Sequence, residues 1–183
     1  MNKLQKWQII QEHDEVSNRW IRVRNVTFKL PNKKIVKDYF IIERPSVVII
    51  IPIRNGKTFL IKEYERGVDE VGYKFPAGQI DPHEEPKQSA QRELGEELGV
   101  QGTELHFLGE SHVDPGRLNQ KAYFFIATDV VDAQNLKKEN PFELFEGEWV
   151  DWSDLPKLIS NNEIKNPFVI VGWTLANMFL KLS

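Results

Sequence analysis

The chain has 183 residues, a formal net charge of −3 and no cysteine. That length suits one domain with a substantial core, and the missing thiols exclude disulfides, thiolate nucleophiles and thiolate metal sites. The mild acidity argues against a nucleic-acid or membrane partner, no apolar run reaches the length of a membrane span, and a cysteine-free chain fits a cytoplasmic location.

Residues 7–30 alternate weakly. Within them Ile21, Val23, Val26 and Phe28 follow Trp20 as the apolar face of a half-buried strand. Leu30-Pro31-Asn32-Lys33 signals a turn, and Ile35 to Ile42 predicts a second strand, so the two make a hairpin. Pro45 ends it, since the residue before proline is pushed to extended geometry. Val47-Val48-Ile49-Ile50-Ile51-Pro52-Ile53 is apolar on both faces and β-branched, as a central strand is. Asn55-Gly56 is a hairpin turn that returns the chain through Lys57 to Tyr64. Residues 65–74 are charged and contain glycine, which predicts a loop.

The stretch from Gly78 to Val100 carries the chemistry. Pro86 suits the first position of a helix, where its missing N–H costs nothing. Ala90, Leu94 and Leu98 form a narrow apolar stripe, and Gly99 stops the helix. Glu93, Glu96 and Glu97 are three and four residues apart, which at 3.6 residues per turn brings them to one face. Like charges at that spacing destabilise a helix by roughly 0.2–0.5 kcal/mol per pair. A hard divalent cation, which takes oxygen ligands, is the simplest compensation.

Beyond the helix, Leu105 to Glu110 is followed by a loop, His112 to Arg117, and Ala122 to Ala127 predicts a core strand. Residues 132–146 are polar and predict a mobile loop. Glu148-Trp149-Val150-Asp151-Trp152 alternates like a strand, a short helix follows Ser153, and Asn166-Pro167 opens a C-terminal helix with almost no polar face. Strands, helix, strands, helix make the class mixed α/β.

Gly78, five residues, Glu84, seven residues, then Arg92-Glu93-Leu94-Gly95-Glu96-Glu97-Leu98-Gly99-Val100 resembles a complete Nudix box. Chance agreement at its nine specified positions is on the order of one in a billion at average residue usage. Phe75-Pro76-Ala77-Gly78 and Pro115 resemble the branch that hydrolyses ADP-ribose and other nucleoside diphosphate sugars. The resemblance implies a Nudix α/β/α sandwich with a mixed sheet over residues 45–183. It also implies an N-terminal antiparallel sheet over residues 1–44, for base binding and dimerisation, exchanged between two subunits of a homodimer.

The same resemblance assigns residues. Glu93 and Glu97 become the main Mg²⁺ ligands (Mn²⁺ being the alternative ion), with Glu96 a further ligand and a catalytic candidate, and the carbonyl of Ala77 another. Gly78, Glu84 and Arg92 support the motif. The general base is expected at Glu148, with Glu146 second. Trp20 and Tyr39 offer rings for the nucleobase. Arg44, Arg66, Asp114 and Arg117 are further substrate candidates, Arg117 standing where many bacterial members carry a different, acidic pattern. The implied activity is Mg²⁺-dependent hydrolysis of a nucleoside diphosphate sugar, ADP-ribose first, with GDP-mannose or another sugar nucleotide close behind. An RNA 5′-pyrophosphohydrolase or decapping-type enzyme, and a non-catalytic nucleotide sensor, are the alternatives.

Overall fold

A computed structural model describes residues 5–99, 104–128, 130 and 145–182, which fall into two units. The first holds the chain up to Ser46 together with Ser111–Lys121, and the second holds Val47–Glu110 and Ala122–Ser183.

In the first unit β1 (Gln8–Ser17), β2 (Arg22–Lys29) and β3 (Ile35–Glu43) form an antiparallel sheet in that order. Opposite charges pair across it, Arg22 with Asp14 and Glu43, and Arg24 with Glu43. Trp20 is a correction to the expected strand. It sits in the turn between β1 and β2, where the Asn18 side chain accepts hydrogen bonds from the Trp20 and Ile21 amides at 2.8 and 3.1 Å. Asparagine makes such turns because its short side chain reaches the backbone two residues on. The 111–121 segment is stitched to the end of β3. The Ile42 amide donates to the Arg117 carbonyl at 2.7 Å, and the Asn119 amide donates back to the Ile42 carbonyl at 3.1 Å.

The second unit is built on β4 (Val47–Arg54). It pairs antiparallel with β5 (Lys57–Glu65) and β7 (Ala77–Gln79), and parallel with β9 (Lys121–Thr128). With β6 (Glu70–Lys74), β8 (Glu104–His112) and β10 (Phe145–Asp151) this makes a mixed sheet, ordered β10-β5-β4-β9-β8, with β6 on β5 and β7 on β4. Residues of β4 alternate between two cores. Val48 and Ile50 pack with Ala90, Leu94, Leu105 and Phe125. Ile49 and Ile51 pack with Leu60, Phe75, Phe124, Leu155 and Val169. Helix α1 (Pro86–Glu93) therefore covers one face, and α2 (Leu155–Ser160) and α3 (Pro167–Leu182) cover the other. This is the expected α/β/α sandwich. Gly172 of α3 lies so close that an added Cβ would stand 3.1 Å from Phe75 and 3.3 Å from Ile51.

Three local expectations change. The Asn55-Gly56 turn is as expected, with φ of 50° and 73°. Residues 70–74, however, are strand β6 rather than loop, in register with Ile61–Glu65. Val71 on this hairpin is exposed, so no alternating apolar face marked the strand, and pairing with β5 decides it. The box helix is α-helical only to Glu93. Leu94–Leu98 is a π-helical turn, closed by Gly99 at φ 82°. The C-terminal helix buries Val169 and Ala176 and leaves Ile170, Met178 and Leu180 exposed. The loop expected at 132–146 lies outside the described residues up to position 144, and Glu146 belongs to β10. Among the described residues no helix is long and apolar enough to cross a membrane.

Candidate active site

The box carboxylates gather where β7, α1 and the π-helical turn meet. Pro86 opens α1, and the Glu85 amide donates to the Gln88 side chain at 3.0 Å, which satisfies one of the donors a helix start leaves over. Arg92 then folds back onto the loop before the helix. Its Nε and Nη2 donate to the two oxygens of Glu84 at 3.3 and 3.1 Å, and Nη2 also donates to the Gln79 carbonyl at 3.0 Å. Ser89 Oγ donates to the same carboxylate at 2.6 Å. These bonds, Arg92's first and Ser89's second, hold the Glu84 carboxyl down at about 2. The Arg92 guanidinium is held above its ordinary value, chiefly by Glu84 and then by Glu93.

Glu93 is only 8% exposed. It takes a hydrogen bond from Arg92 Nη1 at 2.6 Å. Gly78 makes room for it. A Cβ built on Gly78 would fall 1.7 Å from Glu93 Oε1 and 1.9 Å from its Cδ, so only glycine lets the carboxylate lie against β7. The Glu97 side chain is 7% exposed and accepts the Ala77 amide hydrogen bond at 3.0 Å. Glu96 is different: its side chain is 57% exposed and meets Arg92 at 3.4 Å. The same Arg92 Nη1 meets both Glu93 and Glu96, so the two carboxylates stay on one side although a π-helical turn begins just after Glu93.

Two residues absent from the expected set complete the cluster. Lys74 Nζ stands 3.1 Å from Glu63 and 4.0 Å from Glu97. Lys74 pairs in register with Ile61 and Gly72 with Glu63, so the β5–β6 hairpin brings Lys74 and Glu63 to one side of the sheet. No motif marks them, because the pairing depends on a strand the local sequence did not reveal. Together Arg92 and Lys74 meet Glu63, Glu84, Glu93, Glu96 and Glu97. Five negative and two positive charges leave this group at −3. Among the described residues no three carboxylate or imidazole side chains lie close enough to cage a metal ion as they stand. The donor chemistry nevertheless fits a hard divalent cation: carboxylate oxygens in excess of their counter-charges, two of them nearly buried.

The expected general bases lie elsewhere. Glu148 is opposite Leu60 and Glu146 opposite Lys62, while Lys62 is opposite Tyr73. Alternation puts all of them on the face of Leu60, which packs in the α2–α3 core, whereas Lys74 and Glu63 point to the other face with Glu97. Glu148 takes a hydrogen bond from Tyr73, which, followed by burial and then by the charges of Glu148 and Glu163, raises the Tyr73 phenol above its usual value. The register therefore separates Glu146 and Glu148 from the box carboxylates.

Of the expected substrate residues, Arg66 is exposed in the turn between β5 and β6. In the first unit Trp20 is 55% exposed with the Arg19 guanidinium 4.4 Å above its ring. Arg44 is exposed, and its amide donates to Asn119 Oδ1 at 3.1 Å. Asp114 Oδ1 accepts from the Gly116 amide at 3.2 Å, which shapes the loop leading to Arg117. Arg117 lies over the Tyr39 ring, 4.9 Å from its centroid.

Known proteins share this sequence and fold over most of their length. The NUDIX domain family matches residues 43–170. The chain is 28% identical to the methanol dehydrogenase activator of Bacillus methanolicus over 85% of its length and 81% of that protein. It is 30% identical to the ADP compounds hydrolase NudE of Escherichia coli K12 over 93% of its length and 94% of that protein. A crystal structure of an ADP compounds hydrolase superposes with a TM-score of 0.87 at 26% identity, covering 99% of this chain and 97% of that one.

Proposed function

The chain belongs to the Nudix family of pyrophosphohydrolases, and from that premise we propose that it cleaves the phosphoanhydride bond of nucleoside diphosphate sugars in the cytoplasm. ADP-ribose is the first substrate, giving AMP and ribose 5-phosphate, with GDP-mannose or another sugar nucleotide next. The observation that carries this reading is the group of five carboxylates and two cations around Gly78, whose residual charge of −3 suits metal ions bound to an anionic diphosphate.

Glu93 and Glu97 hold Mg²⁺, or Mn²⁺, with the Ala77 carbonyl as a further ligand. Bound there, the ion supplies neutralisation of the linked phosphates and a water of lowered pKa. The remaining work falls to the chain. The Ala77 amide and Lys74 orient Glu97, and Arg92 orients Glu93 while tying α1 to Glu84. Glu96 is exposed and within the cluster, so it accepts the proton from the attacking water, while Glu148 and Glu146 lie in register with Leu60 and Lys62 on the other face of the sheet.

Trp20 stacks on the base, and Arg44, Arg66, Asp114 and Arg117 meet the rest of the substrate. Residues 1–44 form the dimerisation and base-binding part. Exposed Trp7, Ile9, Ile10 and Val16 on and beside β1 support a sheet completed by a second copy of the chain. Light scattering checks this; a monomer at micromolar concentration refutes it.

The activity is tested with a panel of ADP-ribose, GDP-mannose, UDP-glucose, NADH and capped RNA, read by phosphate release with a coupled phosphatase. Sugar nucleotides are expected to be cleaved and RNA spared. Cleavage of RNA alone refutes the reading. Glu97→Gln is expected to lose turnover by orders of magnitude while its circular dichroism and melting curve stay those of a folded protein.

A further inference from the structure

The guanidinium of Arg117 is exposed and, among the described residues, makes no ion pair. It is nonetheless not a loose surface arginine. Its Cζ stands over the Tyr39 ring, 4.9 Å from the centroid. The backbone below it is held at several points. The Arg117 and Leu118 amides donate to the Asp114 carbonyl at 3.1 and 2.7 Å, and the Arg117 carbonyl accepts from Ile42 at 2.7 Å. Tyr39 is itself fixed. Its hydroxyl donates to the Gly116 carbonyl at 2.5 Å. Phe28 and Trp7 pack T-shaped against its ring, with centroids 5.4 and 6.2 Å away.

A ring engaged in this way has a cation over one face and two further rings packed against it at steep angles. It is poorly placed to stack on a nucleobase. A guanidinium laid on an aromatic face, by contrast, keeps its N–H fork pointing outward and loses little freedom when it pairs with a phosphate. We propose that Tyr39 and Arg117 act as one anion-recognition unit: Arg117 binds a phosphate of the substrate, and Tyr39 is the positioning residue that holds it rather than a base-stacking residue. This rests on the sugar-nucleotide reading above and deepens it. The unit recognises the phosphate common to all nucleoside diphosphates, so it adds affinity without selecting the base.

The experiment is a double-mutant cycle on ADP-ribose and GDP-mannose hydrolysis, with Arg117→Ala, Arg117→Lys, Tyr39→Leu, Tyr39→Phe and the Tyr39→Leu/Arg117→Ala pair. Arg117→Ala is expected to raise KM about tenfold with kcat nearly unchanged, the size of one exposed charge-assisted hydrogen bond. Arg117→Lys does not restore it, because an ammonium lacks the fork. Tyr39→Leu raises KM about threefold, as loss of an exposed cation–π contact does, and Tyr39→Phe, which keeps the ring, stays near wild type. In the pair, Tyr39→Leu adds nothing to Arg117→Ala, and all effects are equal for the two bases.

Full additivity, or a Tyr39→Leu effect that persists without Arg117 and differs between adenine and guanine, overturns the proposal in favour of stacking. If the wild-type protein cleaves none of the panel, the sugar-nucleotide reading has failed. Calorimetric titration of ADP and inorganic pyrophosphate then tests the arginine alone. Wild-type binding weakened about tenfold by Arg117→Ala supports the unit, and absence of binding, or binding indifferent to Arg117, refutes it.

Discussion

Replacing Gly78 by alanine isolates the reason for a glycine at the head of the box. The new methyl carbon would lie 1.7 Å from Glu93 Oε1, 1.9 Å from Cδ and 2.5 Å from Oε2. An ordinary contact for such a pair is about 3.5 Å, so the carboxylate must retreat by well over an ångström. The clashing atoms are the far end of a side chain, not backbone. Glu93 therefore swings out instead of β7 moving, and the Arg92–Glu93 bond of 2.6 Å is lost. The stability cost is that of an overpacked, broken contact, about 1–3 kcal/mol. For a chain of this size that lowers Tm by roughly 2–10 °C. The cost to function is larger, because displacing a ligand by an ångström costs about a hundredfold in rate. The assay is kcat at saturating Mg²⁺ beside a thermal melt of the same sample. Gly78→Ala is expected to stay folded, melt a few degrees lower and lose about two orders of magnitude in turnover. Wild-type turnover in that variant refutes the claim that Glu93 must lie against Gly78.

The Glu84–Arg92 pair predicts a particular response to acid. The folded-state carboxyl of Glu84 lies near 2, below its unfolded value of about 4.3, so its contribution is fully present above pH ~4.5 and is lost as pH falls towards 2. Urea midpoints of wild type and Glu84→Gln should differ at pH 7 and converge as pH approaches 2; a gap that widens in acid contradicts the sign. Glu148→Gln is expected to keep turnover within about threefold of wild type, since its partner is Tyr73 on the α2–α3 face, and a hundredfold loss in steady-state assays would reinstate it as the general base. Gly147→Ala meets a rigid neighbour, the Phe59 ring at 2.1 Å, which itself packs edge-on against Trp149 at 5.4 Å. There the cost is structural, about 1–3 kcal/mol in denaturant titration, and larger than any direct effect on kcat.

Local sequence determined a great deal of this protein. The β-branched run Val47 to Ile53 reads as a two-faced core strand because every residue in it is apolar, and Asn55-Gly56 reads as a hairpin turn because both residues accept positive φ. Pro86 and Gly99 bracket the box segment, and the glutamates between them advertise oxygen-ligand chemistry through a charge density that no solvated helix needs. These features are legible because each depends on neighbours within a few positions. What depended on distant pairing was not legible. The charged residues 70–74 become β6 only because β5 offers them a ladder, and Lys74 reaches Glu63 and Glu97 only through that pairing. The π-helical turn leaves Glu93 nearly buried and Glu96 exposed although both meet Arg92, and strand register carries Glu148 to the side of the sheet away from the box. Spacing along a chain says which side chains could share a surface; hydrogen-bond register, which shifts a side chain from one face to the other with a single residue, decides which of them do.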